Sequence, residues 1–257
     1  MIVAAKPLWV GTSWKMNKTR GEARAFVSAL AGAAIIGDAR LQPFVIPPFT
    51  AIADVVALLA NTRVRVGAQN MHWADAGAWT GEISPPMLAD VGATLVELGH
   101  SERRTHFGET DETVALKVAA AVAHGLTPLI CIGDTRAEYD AGATAEVLAR
   151  QVAMALSRIG ARAMEAEILL AYEPVWSIGE GGTPAEPGFV EIQHARIKQQ
   201  TEIVLGRRLP VLYGGSVNPA NCRQLAAQAN IDGLFIGRSA WNVEGYVGIL
   251  RSVADGR

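Results

Sequence analysis

The chain alternates two kinds of segment. Short runs that are apolar nearly throughout occur at 8–13 (LWVGTS), 44–47 (FVIP), 64–69 (VRVGAQ), 94–99 (TLVELG), 128–133 (PLICIG), 168–173 (ILLAYE), 210–215 (PVLYGG) and 233–237 (GLFIG). Runs with this character suit strands of a parallel sheet covered on its outer face. Longer, Ala-rich amphipathic segments at 20–32, 50–60, 111–124, 143–158, 187–205, 219–229 and 242–253 read as helices, with a shorter one in 84–92. Asp111 opens one of them and Gly125 lies just past its end, as helix start and stop signals require. Strict alternation of strand and helix predicts an α/β fold with a parallel sheet. Eight units in 257 residues favour a closed (β/α)8 barrel, a single domain over 1–257 with no Pro/Ser linker dividing it. An open doubly wound sheet is the competing architecture, but no strand is followed by a G-x-G-x-x-G turn and there is no P-loop.

A parallel barrel places its chemistry where the strands end. Polar residues at those ends are Ser13 and Lys15, Gln69 and Asn70, His100 and Glu102, Glu173, the GGS of 214–216, and Gly237 with Arg238. Glu173 follows the apolar LLAY, so desolvation would raise its pKa and make it a better base; an ion pair at the rim is the plainer reading. It is followed by Pro174 and the Gly-rich SIGEGGTP, the composition of a flap. His100 precedes SERR, which reads as a first helical turn whose amides disfavour a charged imidazole. Such a ring is either a structural histidine or a neutral hydrogen-bond donor. Lys15 has three readings: a salt bridge, with Glu102 as partner; stabilisation of an oxyanion or phosphate; or a Schiff-base nucleophile. The Gly-containing turns YGGSV and IGRS end the last two runs, where barrels often bind phosphate through backbone amides. Together these groups suggest proton abstraction beside a carbonyl on a phosphorylated sugar, with an aldolase or a non-catalytic phosphosugar-binding protein as competitors.

The bulk numbers narrow the partners. A formal charge of −2 gives no reason to expect nucleic acid or an anionic membrane. Cys131 and Cys222 are the two cysteines; far apart and in no metal-type spacing, they read as ordinary thiols of a reducing compartment. No H-x-H or H-E-x-x-H appears, so neither a metal nor another cofactor is expected. Lys6 interrupts the apolar N-terminus, which reads as neither signal peptide nor membrane span, and a soluble cytoplasmic protein is expected. Met71, Trp73 and Trp79 are more apolar surface than one chain should expose in a loop, which predicts a homodimer through residues 69–82.

SWKMN, GAWTGEIS, GHSERR, AYEPVWSIG and YGGSVNPAN, in this order along nearly the whole chain, strongly resemble the triosephosphate isomerase family. The resemblance implies a TIM barrel and an isomerase. It implies Glu173 as the proton-shuttling base, His100 as neutral electrophile, Lys15 as the cation near substrate oxygen and phosphate, and Glu102 as the acid beside that lysine. It places residues 174–184 on the closing loop, Gly179 on a phosphate-binding amide, and Ser216, Gly237 and the amide of residue 238 on the phosphate cradle. It puts residues 69–82, with Thr80 at the tip, on the loop that docks into a partner subunit. The chain departs from the family at Ser13, where Asn is usual, and at Arg238, where a second glycine is usual; its flap also carries Glu180 and an additional Gly182. Arg238 either strengthens phosphate binding or pairs with a carboxylate at the rim. The set GTSWKMNKT, GAQNMHWADAGAWTGEIS and GRSAWNVEGY resembles the branch that interconverts L-erythrulose 1-phosphate and D-erythrulose 4-phosphate in erythritol catabolism. Ordinary triose phosphate isomerisation, as in glycolysis, is the alternative.

Overall fold

The computed structural model describes residues 6–179 and 181–256. The first five residues of the N-terminal apolar stretch, Glu180 of the flap and the last residue lie outside the described residues. Eight parallel strands close in sequence order: β1 (Leu8–Ser13), β2 (Leu41–Ile46), β3 (Arg65–Ala68), β4 (Leu95–Leu98), β5 (Thr127–Ile132), β6 (Leu169–Tyr172), β7 (Val211–Tyr213) and β8 (Gly233–Ile236). β1 pairs with both β2 and β8, through Leu8 to Leu41 and Trp9 to Gly233, and this closure makes the sheet a barrel. The helices are α1 (Arg20–Ala31), α2 (Ile52–Leu59), α3 (Pro85–Asp90), α4 (Ser101–His106), α5 (Asp111–Ala123), α6 (Arg136–Asp140), α7 (Thr144–Leu156), α8 (Pro187–Leu205), α9 (Cys222–Ala226) and α10 (Val243–Ala254).

Three elements differ from the sequence expectation, each for a local reason. β2 begins at Leu41, so Pro43 lies inside it. The proline is tolerated because β2 there pairs with β1 alone; its register with β3 starts one residue later, at Phe44 and Arg65. The expected helix at 219–229 shrinks to α9, because the Asn218 carboxamide oxygen accepts from the amides of Ala220 and Asn221 and holds a turn instead. α6 was not anticipated, although Thr135 and Glu138 form a reciprocal capping box at its start.

The core has two parts. Leu8, Val10, Leu30, Val45, Val96, Val118, Leu170 and their neighbours pack the outer faces of the strands against the helices. A smaller separate cluster, comprising Trp9, Phe44, Ile46, Leu95, Leu129, Cys131, Leu169, Ala171, Leu212 and Phe235, comes from the alternate strand positions and fills the barrel interior. Continuing the same alternation toward the strand ends brings Ser13, Glu97 and Glu173 onto the inward side. Among the described residues no helix is long and apolar enough to cross a membrane.

Candidate active site

Past the end of β1 the chain turns through Lys15 with φ of 53°, a left-handed conformation rare outside glycine and costly to hold. Gln69, after β3, helps to hold it by donating its Nε2 to the Lys15 carbonyl at 2.9 Å. The Lys15 ammonium reaches across to Glu102 on α4, with Nζ 2.5 Å from Oε1. Burial works against the Glu102 charge, but Lys15 and His100 outweigh it and hold the carboxyl below its ordinary range.

His100 caps α4 with its side chain. Nδ1 accepts the Glu102 amide at 3.1 Å, so in the neutral ring the proton sits on Nε2. Burial, and then the nearby Lys15 charge, push the imidazole down to about 4, so it is neutral near pH 7. Nε2 lies 3.7 Å from Glu173 Oε1. Ion pairs and hydrogen bonds, partly or wholly buried, prop the turn that carries this histidine. Arg103 donates to Glu109 at 2.8 Å, Lys117 to Glu109 at 2.7 Å and to Asn70 at 2.8 Å, and Arg104 to the Gly99 carbonyl at 2.8 Å.

Glu173 directly follows β6, its amide bonded to the Ile132 carbonyl at 2.8 Å. The residue is 2% exposed and its side chain runs across Gly214, where an added Cβ would stand 2.7 Å from Glu173 Cγ. Burial, reinforced by the charge of Glu97, pushes its carboxyl well above the ordinary carboxylate range. The flap leaves from here through a short turn, Val175–Ser177. Asp134 anchors that turn, accepting the Val175 amide on its carbonyl at 3.0 Å and the Trp176 indole on its carboxylate at 3.3 Å. Gly179 takes φ of 87° at the tip. The additional Gly182 has a steric reason, since a Cβ there would stand 2.5 Å from the Ser177 carbonyl oxygen.

Ser13, Lys15, His100 and Glu173 line one cavity of about 240 Å³ together with Gly179, Ser216, Gly237 and Arg238. The structure therefore brings every expected site residue except Glu102 to this cavity, and Glu102 joins through Lys15. A second cavity of about 210 Å³ shares the wall formed by Ser13, Lys15 and His100, and is lined beyond it by Gln69, Glu97, Glu102 and Phe107.

Sequence reading missed two residues of this region. Trp241 lines the first cavity and donates its indole to the Ser13 carbonyl at 3.0 Å. Glu97 is 3% exposed inside the barrel, 4.0 Å from His100 Nε2. Its signal was a lone acid in the apolar run TLVELG, at the same parity as the inward Leu95. Met71 is a correction: it is fully buried in its own chain. Trp73 stacks on His72, and in this loop Trp79 is the apolar side chain left half exposed. Among the described residues no group of three or more His, Cys, Asp or Glu side chains could hold a metal ion. Cys131 and Cys222 are both buried free thiols.

Comparison with known proteins identifies the family. The triosephosphate isomerase family model matches residues 8–253. A Rhizobium rhizogenes protein named L-erythrulose-1-phosphate isomerase is 59% identical, covering 98% of this chain and 97% of its own. Proteins of the same name from Mesorhizobium japonicum and Brucella abortus are 61% and 60% identical, covering 94% and 96% of this chain and 95% and 96% of theirs. The chain belongs to the triosephosphate isomerase family and is an isomerase.

Proposed function

We propose that the protein interconverts L-erythrulose 1-phosphate and D-erythrulose 4-phosphate through an enediolate. The observation that supports the chemistry is a buried carboxylate, Glu173, 3.7 Å from a neutral imidazole donor, His100, at a cavity that Lys15 also lines. A glutamate base paired with a neutral histidine is the pattern for which triosephosphate isomerase is itself the standard example. The substrate follows from the relatives, about 60% identical over nearly their whole length.

The phosphate sits against the amides of Gly179, Ser216, Gly237 and residue 238, with Arg238 beside it. Glu173 removes the proton from C3, and the electron pair of that C–H bond forms the C2–C3 double bond. The former carbonyl oxygen on C2 takes the charge, held by His100 Nε2–H and Lys15. The proton of the C3 hydroxyl then passes to the C2 oxygen, which becomes a hydroxyl; the C3 oxygen becomes the new carbonyl, and Glu173 returns its proton to C2. No redox partner is needed, because the electrons stay within the substrate. The ion pair with Glu102 engages the Lys15 Nζ, an arrangement that suits charge stabilisation rather than nucleophilic attack. Ser13, smaller than the asparagine usual in the family, leaves room for a longer substrate and offers a hydroxyl.

We also infer a cytoplasmic homodimer through residues 69–82, supported by the exposure of Trp79, Met16 and Phe107. The test is a pair of assays on purified protein, one with L-erythrulose 1-phosphate and one with dihydroxyacetone phosphate. A higher kcat/KM for the tetrulose phosphate is expected. Faster turnover of the triose phosphate by orders of magnitude overturns the substrate assignment while leaving the chemistry in place.

A further inference from the structure

Glu97 is an expensive residue where it stands. It lies within β4, inside the barrel, where its strand neighbour at the same parity, Leu95, and its cross-strand partner, Leu129, are apolar. Its Oε2 is buried with no hydrogen-bond partner among the described residues. A buried acceptor without a partner costs free energy, and the cost is recovered when a ligand supplies a donor. Burial pushes the Glu97 carboxyl up to about 7, with the Ser13 hydroxyl and the Lys15 charge opposing that rise.

Its position relative to the reacting groups is specific. His100 Nε2 has Glu173 Oε1 at 3.7 Å and Glu97 Oε1 at 4.0 Å. Ser13, Lys15 and His100 form the wall common to both cavities; Gly179, Ser216 and Gly237 line only the first, and Glu97 only the second. A substrate with its phosphate on the glycine side and its reacting carbons between Glu173 and His100 directs its unphosphorylated end away from the phosphate, toward Ser13 and Glu97.

We propose that Glu97, with the hydroxyl of Ser13, forms the subsite that reads the hydroxymethyl arm by which a tetrulose phosphate exceeds a triose phosphate. This rests on the tetrulose reading above and adds the residue that enforces it. The terminal hydroxyl of the arm donates to Glu97 Oε2. A triose phosphate has no such hydroxyl, so Oε2 remains unpaired when the triose is bound. Sites built to pair a substrate hydroxyl discriminate strongly against analogues that lack it, because the protein's own polar group is then stranded.

The test compares wild type, Glu97→Leu and Glu97→Gln. The readouts are kcat/KM for L-erythrulose 1-phosphate, the inhibition constant of sn-glycerol 3-phosphate, which lacks the arm, and thermal melting. Glu97→Leu is expected to lose about 10²-fold in kcat/KM for the tetrulose phosphate, with inhibitor affinity changed less than about 3-fold. Glu97→Gln is expected to lose roughly 10-fold, because an amide oxygen still accepts but carries no charge. Should Glu97→Leu fail to fold, Glu97→Gln decides by the same pair of readouts. Equal losses of turnover and inhibitor affinity, or no loss of turnover, overturn the subsite. The failure of the tetrulose reading is separable, because it shows as a preference of the wild type for the triose phosphate, before any substitution is made.

Discussion

Along β4 and β6 the barrel interior changes character within a few residues. Leu95 and Leu169 belong to the apolar interior cluster, whereas Glu97 and Glu173, further along the same strands at the same parity, are buried carboxylates. The backbone pairing is continuous through the first pair: β4 stays in register with β5 from Leu95–Thr127 to Leu98–Ile130. Fold and chemistry are thus written on the same inward positions, separated only by depth. The lower layer stabilises the barrel by excluding water. The upper layer uses the rigidity of those strands to hold carboxylates where burial raises their pKa, the setting the proposed mechanism needs for Glu173.

Substitutions in the two layers should separate rate from stability. The largest expected effect on rate short of removing the proposed base is His100→Ala, which deletes the donor proposed for the developing oxyanion. It should lower kcat by about 10²- to 10³-fold, measured by steady-state assay, with only the modest loss of melting temperature that deleting the α4 cap entails. Gly214→Ala comes next. Its new Cβ would press on Glu173 Cγ at 2.7 Å and displace the carboxylate, lowering kcat by roughly 10- to 10²-fold. An unchanged kcat would mean that the base tolerates displacement. Leu95→Ala, in the lower layer, should show the reverse pattern. Denaturant unfolding is expected to report a loss of about 2–5 kcal/mol, while kcat for the folded fraction stays within about 2-fold of wild type.

The smallest effect is on pH dependence. Glu173 faces Glu97, Lys15, Cys131 and Glu102; burial and the Glu97 charge raise its pKa, while Lys15 opposes. The base must be deprotonated to act, so kcat/KM falls as pH drops through its pKa. Glu97→Gln removes one of the raising charges and should move that acid limb to lower pH, by less than about one unit given effective interior screening. His100, already neutral above about 4, should not set this limb. Movement of the limb to higher pH would contradict the arrangement.

The strand ends were readable because each polar residue there terminates an apolar run. Glu173, His100 and Lys15 stood out for that reason, and the closed barrel explains how positions so far apart in sequence share one cavity. Glu97 was not readable in the same way. It sits inside its run, and a lone acid in a strand gains meaning only once Leu95 is known to point inward. The burial of Met71 was hidden too, since composition alone cannot say which apolar residues of a loop fold back into their own chain. The reason for Gly182 is likewise tertiary: an approach to the Ser177 carbonyl that no local pattern announces.

On the proposed mechanism Glu173 carries the substrate's proton, and isotope exchange reports that transfer. The most direct measurement follows L-erythrulose 1-phosphate by NMR in D₂O with wild type and with Glu173→Gln. Deuterium is expected at the carbon-bound position next to the carbonyl with wild type, and a rate lower by about 10²- to 10⁴-fold with the variant. Exchange at the wild-type rate in Glu173→Gln would contradict it.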